Sequence, residues 1–575
     1  MINAPESMTA ASQELMHERP MMKLKGQLQR LCPNLAPDAS LAKYTRAIEQ
    51  CRLMEQLPAT TTSGTGGKCS RKAAKVRAEA NQLYLAKEFE QALGKYNESI
   101  CLAETGSEHL GMGYANRSAI YFEQDEFEYA LANIALAKEH NYPERLMPKL
   151  LEREQQCREK LAEGKSKGTV PLQRFDLNVP VNSKIPFLAS GIKMVRLEDF
   201  GRSMIATKRF KTGDVILHEK SILASIDQML QFHNCNLCSA EEGFSLIPCP
   251  NCATVMYCSQ ECLERDFHLV HRFECPIAEK VQHLSYGFVN LGSRLFLYGL
   301  SLFDDDLDEM MRYCNRTKTG GNPLNLDYTR YDPLEEFKEL YNLSATTTPT
   351  NESSYRFFAT IRCLMYLESP LLKTIVISDE QKSFMRQCVL DFTRAASYYR
   401  WHLTSPLFPV QSLFNHSCDP NVLIVILSGH VKLVVFRPIR PNEQICFSYG
   451  HRWWDTPMCQ EPFPMVFVCK CVVCDPSKKI AWLASKRELT LAAKAELVVV
   501  GLQVCGSDSD DVADLALIQT YIERNGRFVQ AMEKFMKLLS LHWTLLFRLL
   551  RQEDEAQRRA KVAARLAGAA IDVVD

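Results

Sequence analysis

The chain has 575 residues, 46% hydrophobic and 24% charged, with 68 Lys plus Arg against 68 Asp plus Glu. That length predicts about three to five domains of ordinary globular composition. Zero net charge removes any global pull toward nucleic acid or an anionic membrane, so neither is expected as a direct partner. The opening segment, Met1–Pro20, lacks the apolar core of a signal peptide. No uninterrupted apolar run reaches the ~20 residues of a membrane helix. The longest, Val422–Phe436, is broken by Ser428, Gly429, His430 and Lys432. A soluble, intracellular protein, cytoplasmic and nuclear, is the expectation. In that setting 22 cysteines point to metal rather than to disulfides.

In chain order, residues 1–70 read as a helical and linker segment ending in the Gly/Ser/Thr-rich stretch Thr60–Ser70. Further linkers are read at Glu163–Gly168, Leu343–Ser353 and Gly506–Asp511. Residues 71–165 carry an internal repeat. Ala78–Tyr96 is followed by Tyr114–Ile134, and Phe89 and Ala92 recur as Phe127 and Ala130, an offset of 38. Small Ala lets helices cross closely while aromatics fill the groove beside it. Glu144–Leu161 supplies a following helix. The pattern resembles the tetratricopeptide repeat, whose period is ~34.

Cys235–Cys275 holds the pairs Cys235/Cys238, Cys249/Cys252 and Cys258/Cys262, then His271 and Cys275. Pairs two or three residues apart can bite one ion, and tetrahedral zinc takes four ligands, so eight ligands make two closed, structural sites. A segment this short cannot fold on a hydrophobic core, and structural zinc supplies ~10–16 kcal/mol. The order of pairs resembles the MYND zinc finger (residues 235–275). That resemblance implies Cys235, Cys238, Cys258 and Cys262 on one ion and Cys249, Cys252, His271 and Cys275 on the other. His268 competes with His271. A second cluster, Cys469, Cys471 and Cys474, leaves one tetrahedral position open, which by itself would suit a catalytic zinc.

Three further segments, Asp199–Leu223, Ser412–Asn421 (SLFNHSCDPN) and Arg437–Gly450 (RPIRPNEQICFSYG), together resemble the SET domain. The resemblance spans about residues 185–480. It implies that Cys418 completes a post-SET zinc site with Cys469, Cys471 and Cys474. It also implies a multidomain α+β architecture. Tetratricopeptide-like repeats come first. A SET β-fold follows, its first part 185–232 and its core 401–452, split by the finger and a helical insert, 280–400. A post-SET segment, 453–479, and C-terminal helices, 480–575, complete it. This is the layout of SET and MYND domain-containing protein-lysine methyltransferases, in the subgroup with N-terminal repeats.

Methyl transfer from S-adenosylmethionine to lysine is an in-line attack by a neutral amine. Desolvation favours that amine and alignment supplies most of the rest. The resemblance implies that Gly201, Arg202, Asn415 and His416 line the cofactor pocket. Tyr449 would bring its hydroxyl to the reacting centre as the catalytic residue. Three zinc ions and S-adenosylmethionine are thus the expected cofactors, and a lysine of a histone or non-histone protein the substrate. The chain departs from the family pattern in four places, the mildest being the turn Pro441-Asn442-Glu443, with Asn where Gly is common. Gly201 is followed by Arg202-Ser203 where many relatives read Gly-x-Gly. No Asn occurs between Thr360 and Phe414, and Thr404-Ser405-Pro406 stands where a Gly is usual. The alternative is a catalytically weak adaptor that recruits partners through finger and repeats, including proline-rich peptides or corepressors. Repeat modules that grip heat-shock chaperone tails use basic and Asn residues four apart, which share one helical face. Arg77 and Asn81, Asn116, and Lys149 and Arg153 occupy the matching positions.

Overall fold

The computed structural model describes residues 19–58, 67–241, 245–285, 287–316, 322–344, 352–396, 404–450, 452–454, 469–486, 488–504, 510–526 and 533–568. Parts of the linkers read at 60–70, 343–353 and 506–511 lie outside the described residues.

The first segment is more than a linker. Helix α1 (Pro20–Leu31) begins with proline, whose missing N–H costs nothing at a helix start. Helix α2 (Leu41–Gln50) is capped by the Ser40 hydroxyl. Their apolar faces, including Met21, Leu24, Leu28, Tyr44 and Ile48, are buried in the same core as the central domain. The sequence pattern missed this because the partner face lies some 300 residues away.

Five helices follow: α3 (Ser70–Leu85), α4 (Phe89–Leu102), α5 (Glu108–Glu123), α6 (Phe127–Glu139) and α7 (Met147–Ala162). The first four form two hairpins, each packed on its chain neighbour. Both hairpins use one turn: Lys87 and Asp125, 38 residues apart, carry φ of 62° and 57°. In each, the N–H of the next residue returns to a carbonyl five residues back, Glu88 to Leu83 and Glu126 to Tyr121. Ala92 and Ala130 are fully buried where the helices cross. The wholly buried Arg117 ties this module to the finger. It donates to Asn97 Oδ1 (2.7 Å), Asn133 Oδ1 (2.6 Å) and the Leu246 carbonyl (2.9 Å).

The central domain starts with antiparallel β1 (Ile192–Leu197) and β2 (Gly201–Ala206), then β3 (Val215–Lys220) and β4 (Leu223–Ile226). The finger comes next, with the hairpin β5 (Ile247–Pro248) and β6 (Met256–Tyr257) and helix α8 (Gln260–Asp266). The insert is helical: α9 (Ala278–His283), α10 (Gly287–Leu302), α11 (Leu307–Arg316), α12 (Pro333–Ser344), α13 (Glu352–Tyr366), α14 (Pro370–Ile375) and α15 (Asp379–Ala396). Strand β7 (Thr404–Leu407) then pairs with β4, so finger and insert together form one excursion from a single sheet position. The apolar stretch Val422–Phe436 is a β-hairpin, β9 (Val422–Leu427) and β10 (His430–Val435), with β10 central in the order β3-β10-β9. Ser428 and Gly429 (φ 45° and 79°) form its two-residue turn. Among the described residues, no helix is long and apolar enough to cross a membrane.

Short parallel strands β8 (Asn415–His416) and β11 (Cys446–Phe447) close the domain. Beyond it lie α16 (Pro476–Ser485), α17 (Leu491–Val504), α18 (Asp511–Asn525) and the 34-residue α19 (Glu533–Leu566). Helix α19 packs on α18, on β9 and, near its C-terminus, on α6.

Candidate functional site

Strands β8 and β11 lie in register, Asn415 beside Cys446 and His416 beside Phe447, which brings the second and third sequence segments together. Asn421 locks the crossing: its Oδ1 accepts from Cys446 N and its Nδ2 donates to the Gln444 carbonyl. The first segment joins through β2, where Ile445 N donates to the Met204 carbonyl. Asn415 Nδ2 donates to the Arg202 carbonyl (2.7 Å) and to Ser203 Oγ (2.9 Å). Gly201 stands at φ 62° with no neighbouring atom where a Cβ would be. A backbone open to close approach is what a bound small molecule requires of a glycine. Tyr449 donates its hydroxyl proton to the Phe414 carbonyl (2.9 Å), and its ring packs on His416 and Phe447. Gly201, Arg202, Asn415, His416 and Tyr449 thus converge on one crossing.

The His416 imidazole is occupied on both sides. Nδ1 accepts the Tyr449 backbone N–H (2.8 Å), so the ring proton resides on Nε2, which faces Cys418 Sγ at 3.2 Å. A protonated Nε2 donates to a thiolate and does not bind a metal. His416 therefore positions both the Tyr449 backbone and the Cys418 sulfur.

Three groups of ligand atoms lie within 4.8 Å of one another among the described residues. Cys235, Cys238, Cys258 and Cys262 form the first, with Cys238–Cys258 at 3.7 Å and Cys258–Cys262 at 3.5 Å. Cys249, Cys252, His271 and Cys275 form the second, with Cys249–Cys275 at 3.9 Å and Cys252 Sγ 3.4 Å from His271 Nε2. Sulfurs about 3.8 Å apart suit a tetrahedron with ~2.3 Å zinc–sulfur bonds, so the donor sets fit zinc in the interleaved pairing. His268 is exposed and outside the group, whereas His271 is buried within it. The third group is His416, Cys418, Cys469 and Cys471, with Cys474 at 3.5 Å from Cys418. Because His416 carries its proton toward Cys418, Cys474 is the chemically competent fourth donor.

Two acidic residues escaped the sequence reading. The fully buried Glu219 on β3 accepts the N–H groups of Val410 (2.8 Å) and Gln411 (2.7 Å), fixing the turn that leads into Asn415. Burial pushes its carboxyl up to about 8, against the pull of those two donors. No local signal marked it, since Glu219 stands in the polar triplet His218-Glu219-Lys220. Asp419 accepts from the indoles of Trp453 (2.9 Å) and Trp482 (2.8 Å) and lies beside Arg437 and Lys486. Burial opposes its charge, but those partners outweigh burial and hold the carboxyl below its usual value. It anchors the cysteine loop to α16.

In the helical module, Asn116 Nδ2 donates to Asn81 Oδ1 (2.9 Å), which also accepts from the Tyr96 hydroxyl. Arg153 donates to the Ala115 carbonyl and Ser118 Oγ on the same helix as Asn116. Arg77 is buried against His109, and Lys149 is exposed. Asn81, Asn116 and Arg153 therefore face one another across α3, α5 and α7; Arg77 is turned into its own contacts.

The SET domain family model matches residues 201–450. Protein-lysine N-methyltransferase SMYD4 of Danio rerio is 23% identical over 66% of this chain and 57% of its own length. N-lysine methyltransferase SMYD2 of Bos taurus is 23% identical over 52% of this chain and 63% of its own. A SET and MYND domain-containing protein of Dictyostelium discoideum is 22% identical over 49% and 50%. The chain thus spans between half and two thirds of the length of these relatives. With the matched SET segment interrupted by two clustered Cys/His ligand sets, the chain carries a SET domain and is similar to SET and MYND domain-containing proteins.

Proposed function

We propose that the chain is an S-adenosylmethionine-dependent protein-lysine methyltransferase. The observation that carries this reading is the convergence of Gly201, Arg202, Asn415 and His416 with the Tyr449 hydroxyl on one strand crossing. S-adenosylmethionine, when bound, supplies an electrophilic methyl group. The open backbone at Gly201 and the β8 backbone suit its cradle. Tyr449 gives its proton to the Phe414 carbonyl, so the phenolic oxygen presents lone pairs toward the reacting centre and orients the N–H groups of an incoming amine. Exclusion of water lowers the pKa of that amine and keeps it neutral. Calorimetric titration of S-adenosylmethionine into zinc-loaded protein, with a radiolabelled-methyl assay on candidate proteins, tests the reading. Saturable binding and lysine labelling are expected; absence of cofactor binding refutes it.

The ligand sets support three zinc ions, two in the finger and one after the SET core. The repeated turn at Lys87 and Asp125 supports reading residues 71–165 as tetratricopeptide-like repeats. Their groove, with Asn81, Asn116 and Arg153 facing one another, supports a carboxylate-bearing peptide as partner, such as a chaperone tail ending Glu-Glu-Val-Asp. The finger would take proline-rich or corepressor segments. The adaptor reading draws support from Asn415, whose amide is already satisfied by Arg202 and Ser203; the same titration separates the two.

A further inference from the structure

Two cysteines outside every ligand group stand side by side. Cys32 follows the last residue of α1 and Cys51 the last residue of α2, with their sulfurs 3.5 Å apart. Neither belongs to a metal-competent group, and both are half-buried, so small oxidants reach them. A disulfide needs about 2.05 Å between sulfurs. Both residues sit where a helix ends, so side-chain rotation with small backbone adjustment can close the gap. The close pair Cys314 and Cys388 makes a useful contrast, since both are buried beyond the reach of solvent.

The two-helix segment that carries these thiols braces the helical insert. Lys25 Nζ donates to Ser354 Oγ on α13 (2.5 Å) and Arg356 donates to the Ala39 carbonyl (3.3 Å), while Arg19 pairs with Asp227 just past β4. We propose that Cys32 and Cys51 are a reversible thiol–disulfide pair whose oxidation ties the C-terminal ends of α1 and α2 together where both helices pack on the insert. With hydrogen peroxide as oxidant, the Cys32 thiolate attacks one peroxide oxygen. The O–O bond breaks, hydroxide leaves and takes a proton, and Cys32 becomes a sulfenic acid. The Cys51 thiolate then attacks that sulfur; the S–S bond forms and a second water departs. In sum, two thiols and one peroxide give one disulfide and two waters, and a thiol reductant such as glutathione reverses it.

The test uses the full zinc-loaded chain, reduced, freed of reductant and exposed to graded hydrogen peroxide. Samples are quenched with N-ethylmaleimide and mapped by mass spectrometry without reduction, while a colorimetric chelator follows zinc release. A Cys32–Cys51 linked peptide is expected before any zinc is released. An upward shift of a few degrees in melting temperature should accompany it, reversed by dithiothreitol and missing in Cys51→Ser. Zinc release without the linked peptide overturns the proposal. So does a linked peptide that changes neither melting temperature nor protease sensitivity of the two-helix segment. The peptide map needs only the wild-type chain, so a poorly folding variant leaves the test intact.

Discussion

At the scale of single residues, the site depends on atoms whose partners are fixed before any ligand arrives. Tyr449 is held by its hydroxyl at Phe414 and by its own backbone N–H at His416. Tyr449→Phe keeps the ring and the backbone bond and removes only the oxygen. Methyl transfer is expected to fall by about 10²-fold, the scale of a lost positioning contact. Cofactor affinity and melting temperature should stay close to wild type. Equal activity of both proteins in a radiolabelled-methyl assay would make Tyr449 a structural residue. The motif residues Asn415, His416, Cys418 and Tyr449 were legible because the segments that carry them resemble the SET domain in type and order. Glu219, Ser203 and the Phe414 carbonyl were not: their roles arise where distant strands meet, and a backbone carbonyl leaves no mark on sequence.

At the scale of elements, metal and sheet make separable claims. Cys249→Ser removes one thiolate from a buried set of four donors, whose surroundings also pack Tyr257, Val270 and Phe273 into the central core. One zinc ion per chain should be lost and the finger should become protease-sensitive, while the Cys418 site stays filled. Metal analysis finding no difference between variant and wild type would sink the assignment. The ligand spacing made the finger readable, because a tetrahedral ion imposes its geometry on the chain whatever the rest of the fold does. Strands were harder: β8 and β11 have two residues each, too few for any alternation to register.

The sheet also carries a pH dependence. His218 on β3 and His430 on β10 lie with ring centroids 5.2 Å apart. Burial, with Lys432 beside it, lowers His218 to about 4; Asp176 pulls the other way. Burial lowers His430 to about 3, aided by His218, Lys561, Lys220 and Lys432. A histidine depressed in the folded state accepts its proton more readily once unfolded. The pair therefore contributes its full stability above the ordinary value of 6.5, and that contribution is lost as the pH falls toward 4 and then 3. Melting temperature should drop through that window, and His430→Asn should flatten the drop. An unchanged profile in the variant would assign the acid sensitivity to other groups.

At the scale of the whole molecule, α19 joins parts that sequence order keeps apart. Near one region Glu553 accepts from Lys432 on β10 and from Phe175 N. Further along, Arg559 makes a two-pronged pair with Glu126 at the start of α6 (2.9 and 3.0 Å), and Val562 packs in the Tyr121/Phe127 cluster. Arg559→Glu sets two carboxylates against each other at a half-buried contact. A loss on the order of 2 kcal/mol is expected, read as faster proteolysis in the Glu163–Gly168 stretch. Cleavage at the wild-type rate would show that the contact carries no weight. The helical tail could be read from composition, but not its destination, since an exposed-looking charged face gives no hint of which surface it meets.

A continuous helix of 34 residues is about 50 Å long at 1.5 Å per residue, and it has no slack. Because one stretch is riveted to the central sheet and another to the second hairpin of the N-terminal module, the two bodies cannot slide past each other along its axis without breaking a rivet. The module is thus less an appendage than a handle on a rigid shaft. Whatever grips it from outside pulls on the strand that leads directly into the turn before the β8–β11 crossing.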